Sequence, residues 1–262
     1  MIRARDVLIH APASAGPLST IAAHTRESAN QTIPLLVEIG NVLGTSRRFS
    51  AIDIQSFYAE LGLEPSPEAT RRLGSLYEQH GSDKSNTHDY HRVYAALLQY
   101  LEPVASVFEL GLGSNNPQIE SNMAGRGTPG GSLRALRDYL PNSQLFGADI
   151  DQSLRLTEER LTTYTLDQTD FNAWLELDKR LPIQLDLIID DGLHAPYANL
   201  QTLRYAIRRM SEGRTRAAVI EDIPERTISV WQVAGQMLGD AGFRTHLVKT
   251  RRAYMFVCLV NK

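Results

Sequence analysis

The spacing of apolar residues changes along the chain, and the changes divide it into elements. Short, nearly continuous apolar runs occur at 106–110, 145–149, 185–189 and 217–220, each followed at once by glycines or acids. Runs of this length and bounding read as buried strands. Residues 163–166 read as one more strand. The stretches 243–249 and 254–260 read as a closing antiparallel pair about the turn at 250–252. Between the strands the period lengthens to that of a helix. It predicts helices over 67–79 (Leu73, Leu76, Tyr77 on one face), 91–101 (Val93, Tyr94, Leu97, Leu98) and 132–139, opened by a Ser132 cap. Further helices are predicted over 153–161, 171–181, 194–210 and 230–241. Strands alternating with helices and ending in a hairpin describe an α/β fold, a Rossmann-like doubly wound sheet with a C-terminal antiparallel strand.

The first part of the chain follows another pattern. Residues 1–19 show no period, 21–43 turn helical with Pro34 opening a second helix, and 51–61 read as a short helix after a Ser50 cap. The proline-rich break at 62–67 places a boundary there, giving a helical appendage or lid over 1–66 and a main domain over 67–262. The apolar faces of the appendage need the main domain or a second subunit to cover them, so a homo-oligomer is expected.

Length and composition fit this picture: 262 residues can bury a full α/β core. A formal net charge of -3 gives no reason to expect nucleic acid as a partner. The single cysteine, Cys258, lies in an apolar run and reads as core. No apolar stretch approaches the ~20 residues of a membrane span, and the N-terminus has no signal-peptide pattern, so a cytoplasmic protein is expected.

The chemistry gathers where strands end. The 185–189 run leads to Asp190, Asp191, Gly192 and His194, and the 217–220 run leads to Glu221 and Asp222. Ligands of open α/β sheets bind at the carboxyl ends of strands. Acids delivered there by two strands make an oxygen-ligand site for a hard divalent cation. The competing reading has Asp190 capping a helix and Glu221-Asp222 as an ordinary polar turn. The first strand ends in Glu109 and then Gly111, Gly113 and Ser114. A dinucleotide fingerprint would want glycine at position 116, where Asn116 stands, and S-adenosylmethionine suits the pattern better. Asp149, or Asp151, ends the second strand, where an acid bonds ribose hydroxyls. Asp167 and Gln168 end the third, where a polar side chain can read a purine amine. The loop at 81–90, holding Asp83, Lys84, His88 and Tyr90, and the long glycine-rich loop at 115–131 are further candidate ligand segments.

Taken in order, the 186–194 segment, Glu221-Asp222, the 81–84 segment with His88, Tyr90 and Tyr94, and the 129–134 segment resemble class I, metal-dependent O-methyltransferases, in particular those acting on macrolide sugars. The resemblance covers about residues 70–260. It implies S-adenosylmethionine and Mg²⁺ as cofactors and a small-molecule hydroxyl acceptor, a glycoside. It implies Asp191, Glu221 and Asp222 as metal ligands and His194 as general base, placed beside Asp191 by one helical turn. Lys84, Tyr90, Glu109, Gly111, Gly113, Ser114, Asp149, Asp151, Asp167, Gln168 and Asp190 would form the cofactor site. Alternatives are a catechol or polyketide hydroxyl as acceptor, or a non-catalytic S-adenosylmethionine-binding partner protein.

Overall fold

The computed structural model describes residues 49–119 and 121–261, together with Leu35. The expected arm at 1–19 and most of the helical stretch at 21–43 lie outside the described residues. Nine strands of the described residues form one sheet: β1 (Ala51–Ile52), β2 (Ser106–Leu110), β3 (Gln144–Asp149), β4 (Thr157–Glu158), β5 (Leu161–Thr165), β6 (Leu185–Asp190), β7 (Thr215–Ile223), β8 (Arg244–Lys249) and β9 (Tyr254–Leu259). Their spatial order is β1-β8-β9-β7-β6-β2-β3-β5-β4. β5, β3, β2, β6 and β7 run parallel, and β9 is antiparallel to both β7 and β8.

Among the described residues, seven α-helices cover the two faces: α1 (Ile54–Leu61), α2 (Pro67–Gln79), α3 (Tyr90–Leu101), α4 (Gly131–Tyr139), α5 (Phe171–Asp178), α6 (Pro196–Ser211) and α7 (Ile228–Asp240). The central strands are apolar at successive positions because both sides are covered. Val107, Ile189 and Val219 pack among α1 to α4, while Phe108, Ile188 and Ala218 face α5 to α7. Trp174 and Trp231, both almost wholly buried, fill the second layer.

The chain leaves β2 for β3 and β5 on one side, then returns to β6 on the other. Loops diverge at that reversal, and a crevice opens at the carboxyl ends of β2 and β6.

Three local expectations change. No helix spans 153–161. Thr157–Glu158 instead pairs antiparallel with β5, and Arg134 and Arg137 of α4 grip Glu158, so local charge pairing overrides a weak helical period. The 51–61 segment starts as β1, parallel to β8, and Asp53 rather than Ser50 caps α1, its Oδ1 accepting the Ser56 amide at 2.7 Å. Ile54, Phe57, Tyr58 and Leu61 enter the same core as the sheet, so this part of the 1–66 segment is built into the sheet edge. Ser132 does not cap α4. Gly130, in the left-handed region at φ 72°, holds the cap position, and the Ser132 hydroxyl turns to Glu109.

Candidate active site

Gly111 and Gly113 follow β2 with φ of 84° and 77°. A Cβ on Gly111 would lie 2.0 Å from the Asp191 carbonyl oxygen, so only glycine lets the β2 and β6 loops meet. The Asp191 amide donates to the Leu110 carbonyl at 2.8 Å and ties them together. Beside this contact lies a cavity of about 440 Å³ bounded by Gly111, Asp149, Ile150, Asp167, Asp191 and His194.

The nucleoside-side acids are held by their own loops. Asp149 accepts the Leu112 amide at 2.7 Å and the Asp151 amide at 2.8 Å. Burial raises its carboxyl above the ordinary value, against the pull of those amides. An ionised carboxylate offers about four acceptor positions, so acceptor capacity remains toward the cavity. Ser114 donates to Asp151 at 2.5 Å, which keeps that carboxyl below its ordinary value. Asp167 is exposed, and its Oδ1 accepts from Thr169 in an Asx turn.

Asp191, His194 and Asp222 present ligand atoms that lie within 4.8 Å of one another. His194 Nε2 stands 3.9 Å from Asp191 Oδ1 and 3.9 Å from Asp222 Oδ2. His194 and Asp222 carry φ of 54° and 51°, in the left-handed region. Non-glycine residues there are uncommon and gather at functional sites. The strand β7 is irregular between Ile220 and Ile223, which turns Asp222 out of the ladder. Tyr90 fixes it, donating to Oδ1 at 2.7 Å and accepting the Asp222 amide at 3.2 Å. His194 reaches the group from an irregular loop before α6 rather than by the expected helical turn.

Behind this group lies a second, buried one. The Lys84 ammonium pairs with Asp191 Oδ2 at 2.7 Å, with Glu109 at 3.3 Å and with Glu221. Tyr94 also donates to Glu221. Burial pulls the Lys84 ammonium toward neutrality, but the three carboxylates push it well above its ordinary value. Burial raises Glu221 and Glu109, and Lys84 only partly offsets it, because one ammonium cannot compensate three acids. His88 approaches Asp222 on the other side at 3.5 Å; burial lowers its basicity, yet Asp83 and Asp222 leave it above the ordinary value.

The structure thus gathers Gly111, Gly113, Ser114, Asp149, Asp167, Asp191, His194 and Asp222 about the cavity. Glu221 is not in the three-residue group; its carboxylate faces Lys84 and Tyr94. Lys84, Tyr90 and Glu109 support the acids from behind rather than lining the cavity. Asp190 is fully buried and accepts from Gln168 and Asn199, and the Gln168 amide points into that network. Missed from the sequence were Ile150, 49% exposed on the cavity wall, and Tyr197, 62% exposed at its rim. The signal for Ile150 was available: an apolar residue directly after the acid that ends β3.

No protein-family model matches the chain. It is 32% identical over 152 residues to 8-demethyl-8-alpha-L-rhamnosyl tetracenomycin-C 2'-O-methyltransferase of Streptomyces olivaceus, covering 58% of this chain and 37% of that one. It is 33% identical over 127 residues to 8-demethyl-8-(2-methoxy-alpha-L-rhamnosyl)-tetracenomycin-C 3'-O-methyltransferase of the same organism, covering 47% and 30%. The chain therefore spans about a third of the length of these relatives. Among solved structures it resembles the MycE methyltransferase of the mycinamycin pathway, in complex with Mg, SAH and mycinamycin VI, with a TM-score of 0.57, 21% identity and coverage of 72% and 54%. That likeness shows the Rossmann-like α/β fold, and the names of the relatives agree with the resemblance to sugar O-methyltransferases.

Proposed function

We propose that this chain is an S-adenosylmethionine- and Mg²⁺-dependent O-methyltransferase that methylates a sugar hydroxyl of a glycosylated natural product. The observation that carries the reading is the convergence of Asp191, Asp222 and His194 beside the Gly111–Gly113 cavity. The relatives, named for rhamnosyl hydroxyls, supply the acceptor class.

The residues suit both cofactors. Asp191 Oδ1 and Asp222 Oδ2 accept no hydrogen bond from the described residues, whereas their other oxygens are tied to Lys84 and Tyr90. Two fixed carboxylates, each with one open oxygen, match a hard cation that keeps some ligand positions for water and substrate. Asp149 offers remaining acceptor positions to ribose hydroxyls, Ile150 an apolar flank to a purine ring, and Asp167 a carboxylate to its amine. When bound, S-adenosylmethionine supplies an electrophilic methyl group, and Mg²⁺ supplies positive charge that weakens the hold of a sugar hydroxyl on its proton.

The chain's residues do the rest. Asp191 and Asp222 orient the hydroxyl toward the donor cavity. His194 lies within reach of both acids and takes the proton as the hydroxyl attacks. Gly111 and Gly113 let the backbone close around the donor, so that the two reacting groups are held in line. Tyr197 flanks the opening where the remainder of the acceptor leaves the site.

The test is transfer of labelled methyl from S-adenosylmethionine to a panel of rhamnosylated and other glycosylated polyketides, with Mg²⁺ or with EDTA. Metal-dependent labelling of a sugar is expected. Labelling indifferent to EDTA, or confined to aglycone hydroxyls, would refute the reading.

A further inference from the structure

Gln168 lies in the loop after β5, where the sequence pattern makes it a reader of the purine amine. Its side chain is occupied elsewhere. Nε2 donates to both oxygens of Asp190, at 2.9 and 2.7 Å, and lies 3.0 Å from Thr202 Oγ1. Oε1 accepts the Leu193 amide at 3.0 Å. The residue is 6% exposed, although it borders the cavity.

The partners of Gln168 sit on three elements. Asp190 is the last residue of β6, Thr202 belongs to α6, and Leu193 lies in the loop between them. Asp190 also accepts from Asn199 of α6 at 3.1 Å and from the Gly192 amide at 3.1 Å. The fit is tight: a Cβ on Gly192 would lie 2.4 Å from Gln168 Oε1. Asp190 is a fully buried acid, and its oxygens are met by these donors. A polar network satisfied in this way rigidifies what it holds. What it holds is the five-residue turn that carries Asp191 and, in a left-handed conformation at φ 54°, His194. A non-glycine residue persists there only where its surroundings over-determine it.

We propose that Gln168 is a positioning residue: it acts through the Leu193 amide and Asp190 to fix the backbone that presents Asp191 and His194, and it does not read the base. Asp167, exposed on the same loop, is left as the base-side polar group. The kinetic part of the assignment rests on the transferase reading; the hydrogen-bond part does not.

The test uses Gln168→Leu in the full chain, with Thr202→Val as a milder variant that removes one neighbour of Nε2. Amide hydrogen exchange of the cofactor-free protein is read first. The Leu193 amide should exchange at least tenfold faster in Gln168→Leu than in the parent, and by a smaller factor in Thr202→Val. S-adenosylmethionine affinity and steady-state rates follow. Gln168→Leu should bind the donor within about threefold of the parent and lose at least tenfold in kcat at saturating donor and acceptor, in line with the tenfold to hundredfold cost of losing outer-shell partners. Unchanged exchange at Leu193 would overturn the proposal. So would a tenfold loss of donor affinity with kcat preserved, the signature of a base reader. If the parent binds no S-adenosylmethionine, the transferase reading fails, while the exchange result still decides the role of Gln168. If Gln168→Leu does not fold, Thr202→Val supplies both readouts, and parent-like exchange and kcat in that variant would count against the network.

Discussion

Replacing Lys84 by methionine removes a buried charge and keeps most of the volume. Lys84 is 3% exposed, and its ammonium pairs with Asp191, Glu109 and Glu221, the last two almost wholly buried. Breaking a buried ion pair by deleting one partner costs about 3–5 kcal/mol, since the charge left behind has no compensation. For a chain of this size that is a fall in Tm of about 6–20 °C. The pH dependence has a definite sign. Glu109 and Glu221 are already raised above the ordinary carboxyl value by burial, and losing Lys84 raises them further. An acid whose folded pKa lies above its unfolded one favours the folded state when protonated, and this support is lost as pH rises through the unfolded value toward the folded one. The deficit of Lys84→Met should therefore be small near pH 4 and larger at pH 7. Adding Glu221→Gln should recover part of the loss at pH 7, because one uncompensated acid is gone while Tyr94 still has an acceptor. Urea unfolding followed by circular dichroism at both pH values is the assay. A deficit under 1 kcal/mol at pH 7, or one that grows on acidification, would refute the reasoning.

Gly111→Ala should unfold or badly loosen the site, since its Cβ would lie 2.0 Å from the Asp191 carbonyl, whereas Gly113→Ala meets the flexible Met123 side chain and should be milder; thermal melts rank the two. His194→Ala should keep S-adenosylmethionine affinity, measured by calorimetry, and lose about 10²–10⁴-fold in kcat, the usual scale of general-base removal; near-parental turnover would remove it as the base. Asp191→Ala should abolish the response to added Mg²⁺, and an unchanged Mg²⁺ titration of the rate would count against it as a ligand.

The sheet was readable from the chain because both of its faces are covered. Strands such as β2 and β6 are buried at every step and apolar at all but their acids and Ser106, and no amphipathic alternation confuses them. The β4–β5 hairpin was not readable, because its stability comes from Arg134 and Arg137 some twenty residues away. The site was legible as a set of acids at strand ends, since residue type and strand end are local facts. Which way each acid points is not local. The irregularity in β7 sends Asp222 toward His194, while Glu221 turns to Lys84 from a loop 137 positions earlier. Gln168 shows the same limit: its place at a strand end is visible in the sequence, but its inward turn depends on Asp190 and Thr202.

The central claim is that Asp191 and Asp222 hold a divalent cation beside the donor cavity. A crystal grown with Mn²⁺ and S-adenosylhomocysteine, measured for anomalous scattering, tests it most directly. The account predicts an anomalous peak bridging the open oxygens of Asp191 and Asp222, with the nucleoside against Asp149 and Ile150. No peak between those carboxylates at saturating Mn²⁺, with the nucleoside in place, would contradict it.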